Sequence, residues 1–233
     1  MAKQALTDTE RPLSTVDVVI FTVAEGTLQV LLVQRPQAPE EPCPGLWALP
    51  GGFVDVERDP DLESCALRKL KEKTGVASPY LEQLGSWGSA TRDPRGWSAT
   101  HAYFALVPRE PLKAGGNAPD ARWFAIKGVP ARLAFDHAGI LAAAVSRLRS
   151  KVEYTSLPAF VLPREFTLTE LQRTYEIVLG RALEKSAFRT RVLAAELVQP
   201  VGRKRQGPNR PAQMYRLRDP REPVFFARTF SPR

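Results

Sequence analysis

Apolar positions in the first part of the chain follow strand periodicity. From Thr15 to Val23, and again from Leu28 to Val33, β-branched and large apolar residues alternate or cluster, with Ala24-Glu25-Gly26 between them. That is the pattern of a β-hairpin. Four prolines between Pro36 and Pro44 exclude helix and strand there. Trp47 to Val54 then leads into an irregular acidic loop. At Asp61 the period changes: Leu62, Cys65, Ala66, Leu67 and Leu70 recur at helical spacing, and Gly75 closes the helix at its C′ position. Strands are expected at 81–89, 97–107 and 121–126. Asp136 can cap a helix from about His137 to Lys151.

Beyond that helix the texture changes. Tyr154 to Pro163 reads as an extended linker or crossover. Thr167-Leu168-Thr169-Glu170 fits a capping box, opening a helix that ends at Gly180. Ser186 can cap a second helix running to about Val198. A basic turn from Gly202 to Pro211 follows, then an alternating strand, Ala212 to Leu217. Helix, short turn, helix and basic hairpin is the order of a winged helix-turn-helix. The division this predicts is one domain over 1–153 and a second over 154–233, with no internal repeats.

Composition changes the picture little and charge changes it much. The 233 residues are 43% hydrophobic and 25% charged, as in an ordinary globular protein. The longest apolar run, Val16 to Val33, is broken by Asp17 and Glu25, and the N-terminus lacks the apolar core of a signal peptide, so a cytoplasmic protein without a membrane segment is expected. Cys43 and Cys65 are expected as free thiols. Residues 1–150 hold 17 basic and 17 acidic side chains, whereas 151–233 hold 16 basic and 8 acidic, so the whole net charge of +8 lies in the second segment. A basic excess confined to one segment points to a polyanion, with nucleic acid the first candidate.

The segment Gly51 to Gly75 resembles the Nudix box, G-x5-E-x7-R-E-U-x-E-E-x-G-U. Arg68, Leu70, Glu72, Gly75 and Val76 fit it, and Gly51-Gly52 follow Leu49-Pro50 as in that pattern. Lys69 and Lys73 stand where two glutamates belong. Gly52 and Arg68 are 16 apart where the pattern has 14, and Pro60 falls at the first glutamate. Residues 69, 72 and 73 share one helix face. Three glutamates there would hold Mg²⁺ against a diphosphate, whereas Lys69, Glu72 and Lys73 carry +1 and repel it. An ammonium can still attract the diphosphate directly. The expectation is a pocket that binds without cutting, with no catalytic residue, metal or cofactor; taken singly, both lysines read as ordinary solvated helix residues, and the rest of the box shifts that reading.

Arg35 follows the second strand and can pair with phosphate through its planar fork. Trp47 and Trp97 can stack on an adenine, although tryptophan in a core is as common. The polar loop Arg92-Asp93-Pro94-Arg95-Gly96-Trp97-Ser98 suits ligand contact or a dimer interface. Asp55, Glu57, Asp59, Asp61 and Glu63 read as a solvated loop and a favourable first helical turn. The ligand set expected is Arg35, Trp47, Gly51, Gly52, Phe53, Arg68, Lys69, Glu72, Lys73 and Trp97. In the second domain Ser186, Arg189, Thr190 and Arg191 occupy the first turns of the helix that would meet base edges. Arg203, Lys204, Arg205 and Arg210 lie on the basic turn, placed like a wing that tracks phosphate.

Together these segments resemble the Nudix-related transcriptional regulators of the NrtR type. The likeness runs through Leu49-Pro50-Gly51-Gly52-Phe53-Val54-Asp55, the degenerate box, the Arg92–Ser98 loop, Phe135-Asp136-His137-Ala138, Phe166 to Gln172, Phe188-Arg189 and Pro211 to Arg216, nearly the whole chain. The resemblance implies an α+β protein, a Nudix-like α/β/α sandwich followed by a winged helix-turn-helix. It implies a homodimeric repressor of NAD biosynthesis or salvage genes, bound to a palindromic double-stranded operator and released by a nucleotide diphosphate such as ADP-ribose. Competing readings are a Nudix hydrolase of ADP-ribose or a related diphosphate, a regulator sensing another metabolite, and an RNA-processing factor.

Overall fold

The computed structural model describes residues 11–75, 80–108, 121–206 and 211–230. Two long strands open the chain, β1 (Leu13–Ala24) and β2 (Thr27–Gln34), antiparallel with Ala24 opposite Thr27. The two residues between them, Glu25 and Gly26, both take positive φ (52° and 71°), the tight turn whose twist suits a hairpin. β3 (Trp47–Ala48) extends β2, and β4 (Gly51–Phe53) pairs with β1. After α1 (Leu62–Thr74), β5 (Tyr80–Ser89) and β6 (Ser98–Leu106) form an antiparallel pair, and β6 joins β1 in parallel. β7 (Ala121–Ala125) closes the seven-stranded sheet against β2.

Period-two alternation in β1 explains the layering. Val16, Val18 and Ile20 face α1, packing with Cys65, Ala66 and Leu70. Val19 and Phe21 face the other way, into a core shared with Ile140, Leu141 and Ala144 of α2 (His137–Val152). The result is an α/β/α sandwich. Asp61 caps α1 by accepting from the Ser64 N–H at 2.7 Å, and Gly75 ends it in the left-handed region. The acidic loop departs from the solvated reading at one residue. Glu57, Asp61 and Glu63 are exposed, but Asp59 is buried, its carboxylate held by the Arg68 fork.

The stretch Tyr154 to Pro163 is not an extended linker. It coils into a 3-10 helix, Leu157–Val161, with all five side chains buried against the sheet and the next helix. An apolar run of this density with Pro158 in its first turn is better served by burial on every side than by strand pairing. β8 (Phe166–Thr167), α3 (Leu168–Leu179), α4 (Lys185–Ala194), β9 (Val198–Arg205) and β10 (Ala212–Leu217) follow among the described residues. β10 lies between β8 and β9 in a three-stranded sheet. The capping box at Thr167 and Glu170 is present in both directions, and Gly180 ends α3 at φ 73°. α4 ends at Ala194 rather than near Val198, because Glu196 turns the chain at φ 51° and Val198 starts a strand. One hydrophobic core runs without interruption from α2 through Phe160 and Phe166 to Tyr175, Phe188 and Val198. No helix among the described residues is long and apolar enough to cross a membrane.

Candidate functional site

Five segments converge on a cavity of about 290 Å³. β1 supplies Thr15 and Asp17, the end of β2 supplies Arg35, β4 supplies Gly51, Gly52 and Phe53, the β5–β6 loop supplies Arg92, Asp93 and Arg95, and the start of α2 supplies Phe135 and His137. Gly51 lets two strands meet there. A Cβ on it would stand 2.1 Å from Asp17 Oδ1 and 2.5 Å from the Val16 carbonyl oxygen, so no other residue fits. Gly52 has φ 145°, and Lys69 Nζ lies 3.1 Å from where its Cβ would be, which puts an ammonium over the glycine turn.

The cavity floor is a buried polar network. Asp17 accepts from the Thr100 hydroxyl at 2.7 Å and faces His137 Nε2 at 3.5 Å and Arg92 at 3.9 Å. Burial alone would raise its pKa, but His137, Thr100 and Arg92 together outweigh that and hold the carboxyl below its usual range. The Leu49 N–H donates to His137 Nδ1 at 2.9 Å, which leaves Nε2 to carry the ring proton toward Asp17. Arg92 grips Asp136 with two bonds, 2.8 and 2.9 Å. Asp136 therefore sits at the N-cap position of α2 without capping it, because its side chain is committed to Arg92.

The other two arginines are paired and stacked. Arg95 forks onto Asp93 at 2.7 and 3.0 Å and lies 4.8 Å over the Phe53 ring. Arg35 donates to Glu41 at 2.7 Å and lies 5.0 Å over the Phe135 ring. Burial works to raise the Asp93 pKa, and Arg95 more than reverses it. Each guanidinium is fixed in one orientation at the cavity wall, with a carboxylate behind it. Such a wall suits an anionic or polar ligand that brings its own acceptors.

Of the ligand residues expected from the sequence, Arg35, Gly51, Gly52 and Phe53 line the cavity, and Lys69 stands at its glycine turn. The rest lie elsewhere. Trp47 packs edge-on to Phe124 at 4.9 Å, beneath Arg122. Trp97 is half exposed in the β5–β6 loop. Arg68 holds Asp59 with two bonds and Glu72 with a third at 3.2 Å, so it braces the acidic loop. Hydrogen bonding from its guanidinium, more than bare charge, keeps Asp59 well below the usual carboxylate range. The Lys73 side chain lies outside the described residues. Asp17, Arg92, Asp93, Arg95, Phe135 and His137 line the cavity but are not in the expected set. The polar loop Arg92–Ser98 signals three of them, while Asp17 hides in an apolar strand.

Glu72 also lies 4.0 Å from Arg58, so its carboxylate faces two guanidiniums. Among the described residues no group of three His, Cys, Asp or Glu side chains is arranged to hold a metal ion. Lys69 stands beside Glu72, where the Nudix pattern has a glutamate. The Cys65 thiol is pushed up to about 11, burial being the main cause, and is inert at neutral pH.

The second surface is carried by α4 and the β9–β10 hairpin. Glu184, not Ser186, caps α4: its carboxylate accepts from the Ser186 and Ala187 N–H groups at 2.8 and 2.5 Å. A residue two positions earlier won because its longer side chain reaches back over the first turn. Ser186, Arg189 and Thr190 are exposed on one face of the helix. Arg191 is not on that face. It stands three residues after buried Phe188 and turns inward, its guanidinium 4.2 Å over the Phe230 ring. On the hairpin Lys204 is exposed, Arg203 forks onto Glu165 and Arg205 pairs with Glu170, all at the surface. Arg210 lies outside the described residues.

Residues 12–144 match the family described as NUDIX domain, and residues 158–217 match the NrtR DNA-binding winged helix domain. The chain is 47% identical over 219 residues to the ADPR responsive transcriptional repressor NtrR of Acinetobacter baylyi, covering 93% of this chain and 86% of that protein. The crystal structure of Shewanella oneidensis NrtR complexed with a 27mer DNA superposes with TM-score 0.82 at 41% identity, over 92% of this chain and 98% of that one. The NUDIX domain of the same Shewanella protein, complexed with ADP ribose, superposes with TM-score 0.56 at 41% identity, over 63% of this chain and 94% of that one. A Nudix sandwich and a winged helix that match these proteins almost end to end establish that the chain belongs to the NrtR family of Nudix-related transcriptional regulators.

Proposed function

We propose that this chain is a DNA-binding repressor of genes for NAD biosynthesis or salvage, released from its operator when ADP-ribose enters the cavity beneath Gly51 and Gly52. The observation that carries the reading is the likeness over 93% of the chain to a repressor named for its response to ADPR. The cavity supports it independently. Arg35, Arg95 and the ammonium of Lys69 border one glycine turn, a setting suited to a diphosphate. Phe53 and Phe135 offer ring surface in the same wall.

Binding without hydrolysis follows from the donor set. The helix face that would hold a metal carries Lys69, and its Glu72 is engaged by Arg68. A phosphate there meets an ammonium instead of a metal-bound water, so nothing activates a nucleophile. DNA is read by Ser186, Arg189 and Thr190, with Arg203, Lys204, Arg205 and Arg210 on phosphate. The active species is a cytoplasmic homodimer on a palindromic operator, whose half-site spacing mirrors the dimer's two-fold axis. The effector and DNA-binding domains meet at 153/154. No resident cofactor is needed.

The test is fluorescence anisotropy on a duplex that the protein itself selects from a random library, with and without ADP-ribose and without metal. Tight binding relieved by ADP-ribose is the expected result. Binding indifferent to ADP-ribose would reject the effector, and AMP release from ADP-ribose with Mg²⁺ or Mn²⁺ would reject the non-hydrolytic reading.

A further inference from the structure

The winged-helix match ends at residue 217, but the ordered chain does not. From Val224 to Phe230 it runs back across the junction of the two domains. The Ser156 N–H donates to the Val224 carbonyl at 2.9 Å, the Val224 N–H donates to Ser156 Oγ at 2.8 Å, and the Phe226 N–H donates to the Tyr154 carbonyl at 2.7 Å. The Phe230 N–H donates to the Glu153 carbonyl at 2.9 Å. The strap is thereby sewn to the residues that follow α2.

Its last ring carries the consequence. Phe230 stacks on Phe188 at 5.9 Å, meets Tyr175 of α3 edge-on at 5.1 Å, and lies under the Arg191 guanidinium at 4.2 Å. Phe188 and Arg191 are inward positions of α4. That helix has ten residues and only two fully buried side chains, Phe188 and Val192, so its own propensity cannot hold it. Arg191 Nη1 is buried with no hydrogen-bond acceptor among the described residues, and the ring face of Phe230 takes that place. The opposite end of α2 meets the cavity wall at Phe135 and His137. The helix between, 16 residues and about 24 Å long, ends at Glu153, whose carboxylate also accepts twice from Arg181, just beyond α3.

We infer that the strap Val224–Phe230 is the element that positions the DNA-reading helix, with Phe230 and Arg191 as positioning residues for Arg189 and Thr190. This rests on the proposed DNA-binding role and deepens it. The outward face of α4 is aimed by what grips its inward face. Because the strap is bonded to the residues just after α2, a shift of α2 at the cavity reaches α4 through Phe230.

The test uses the full chain with Phe230→Ala, Phe230→Tyr and Arg191→Met, read by amide exchange, by anisotropy on the selected duplex and by calorimetry with ADP-ribose. Phe230→Ala should speed exchange across 187–194, leave exchange in β1 and β2 and the ADP-ribose affinity unchanged, and weaken operator binding about tenfold. Phe230→Tyr keeps the ring and should restore both. Arg191→Met keeps the aliphatic contact on the ring without the cation, and should move both readouts the same way by less; it decides the matter if Phe230→Ala does not fold. Unchanged exchange in α4 would overturn the inference, as would faster exchange spread equally through α3 or unchanged operator affinity with a loosened α4. A wild-type chain that selects no duplex would instead sink the DNA-binding reading, and the exchange comparison would still judge the strap.

Discussion

Arginine does opposite work at the two ends of the molecule. At the cavity, Arg92 is 5% exposed, forked onto Asp136 and 3.9 Å from buried Asp17. At the winged helix, Arg203 and Arg205 are 68% and 49% exposed, pairing with Glu165 and Glu170 at the surface. A surface pair is worth about 0–1 kcal/mol, so either arginine can leave its glutamate for a phosphate at small cost. Breaking a buried pair from one side costs about 3–5 kcal/mol, since the abandoned charge stays buried. Burial therefore makes scaffold of Arg92 and leaves Arg203 and Arg205 free to exchange partners.

The largest effect expected is that of Arg92→Ala. It abandons Asp136 and Asp17 together beneath the cavity, and should lower unfolding free energy by about 3 kcal/mol or more in a urea titration. A loss below about 1 kcal/mol would mean that the floor relaxes or admits water, and the contrast between the two ends would fail.

Next in size is Arg189→Ala, which removes an outward arginine from α4 and leaves the fold alone. Operator affinity should fall by the equivalent of about 1–3 kcal/mol with ADP-ribose affinity unchanged. Lys204→Ala should act differently, weakening binding to all duplexes alike and reducing the salt slope by about 0.9. Equal loss of sequence preference in both variants would erase the distinction between reading and tracking.

Acid sharpens the comparison from the cavity side. Asp17, Asp59 and Asp93 titrate below their ordinary value in the folded chain, so between the two values the unfolded chain binds more protons. Their stabilising contribution is complete above about pH 5 and is lost as pH falls through the folded values. Asp59→Asn should therefore destabilise the protein at pH 7, with the gap to wild type closing as pH drops toward 3. A gap constant with pH would show that Arg68 holds Asp59 through shape and not charge.

What could be read from the sequence was local. Alternation in β1 and β2, the Asp61 and Gly75 ends of α1 and the Thr167–Glu170 capping box each depend on residues within a few positions, and each reappears in the structure. The cavity floor is different in kind. Asp17, Arg92 and His137 belong to a strand, a loop and a helix start, and it takes the parallel pairing of β1 with β6 together with the packing of α2 on the sheet to assemble them. An aspartate in the middle of an apolar strand was nonetheless a signal, because a buried carboxylate requires partners. Arg191, expected among the DNA contacts, carried a contrary signal in its three-residue spacing from apolar Phe188. The strap was not, since 218–230 has no periodicity and its three phenylalanines gain meaning only from Tyr175 and Phe188 already in place.

The smallest effect separates a cap from a contact on the same helix turn. Ser186 looked like the N-cap of α4, yet its backbone N–H and that of Ala187 are both taken by the Glu184 carboxylate. Ser186→Ala should therefore leave amide exchange in α4 unchanged, whereas Glu184→Ala should speed it, because two first-turn donors lose their acceptor. If Ser186→Ala also weakens operator binding slightly, its hydroxyl faces DNA and the helix start has divided its labour between two neighbouring side chains. A faster-exchanging helix in Ser186→Ala would return the cap to Ser186, and with it the one-residue reading that the sequence suggested.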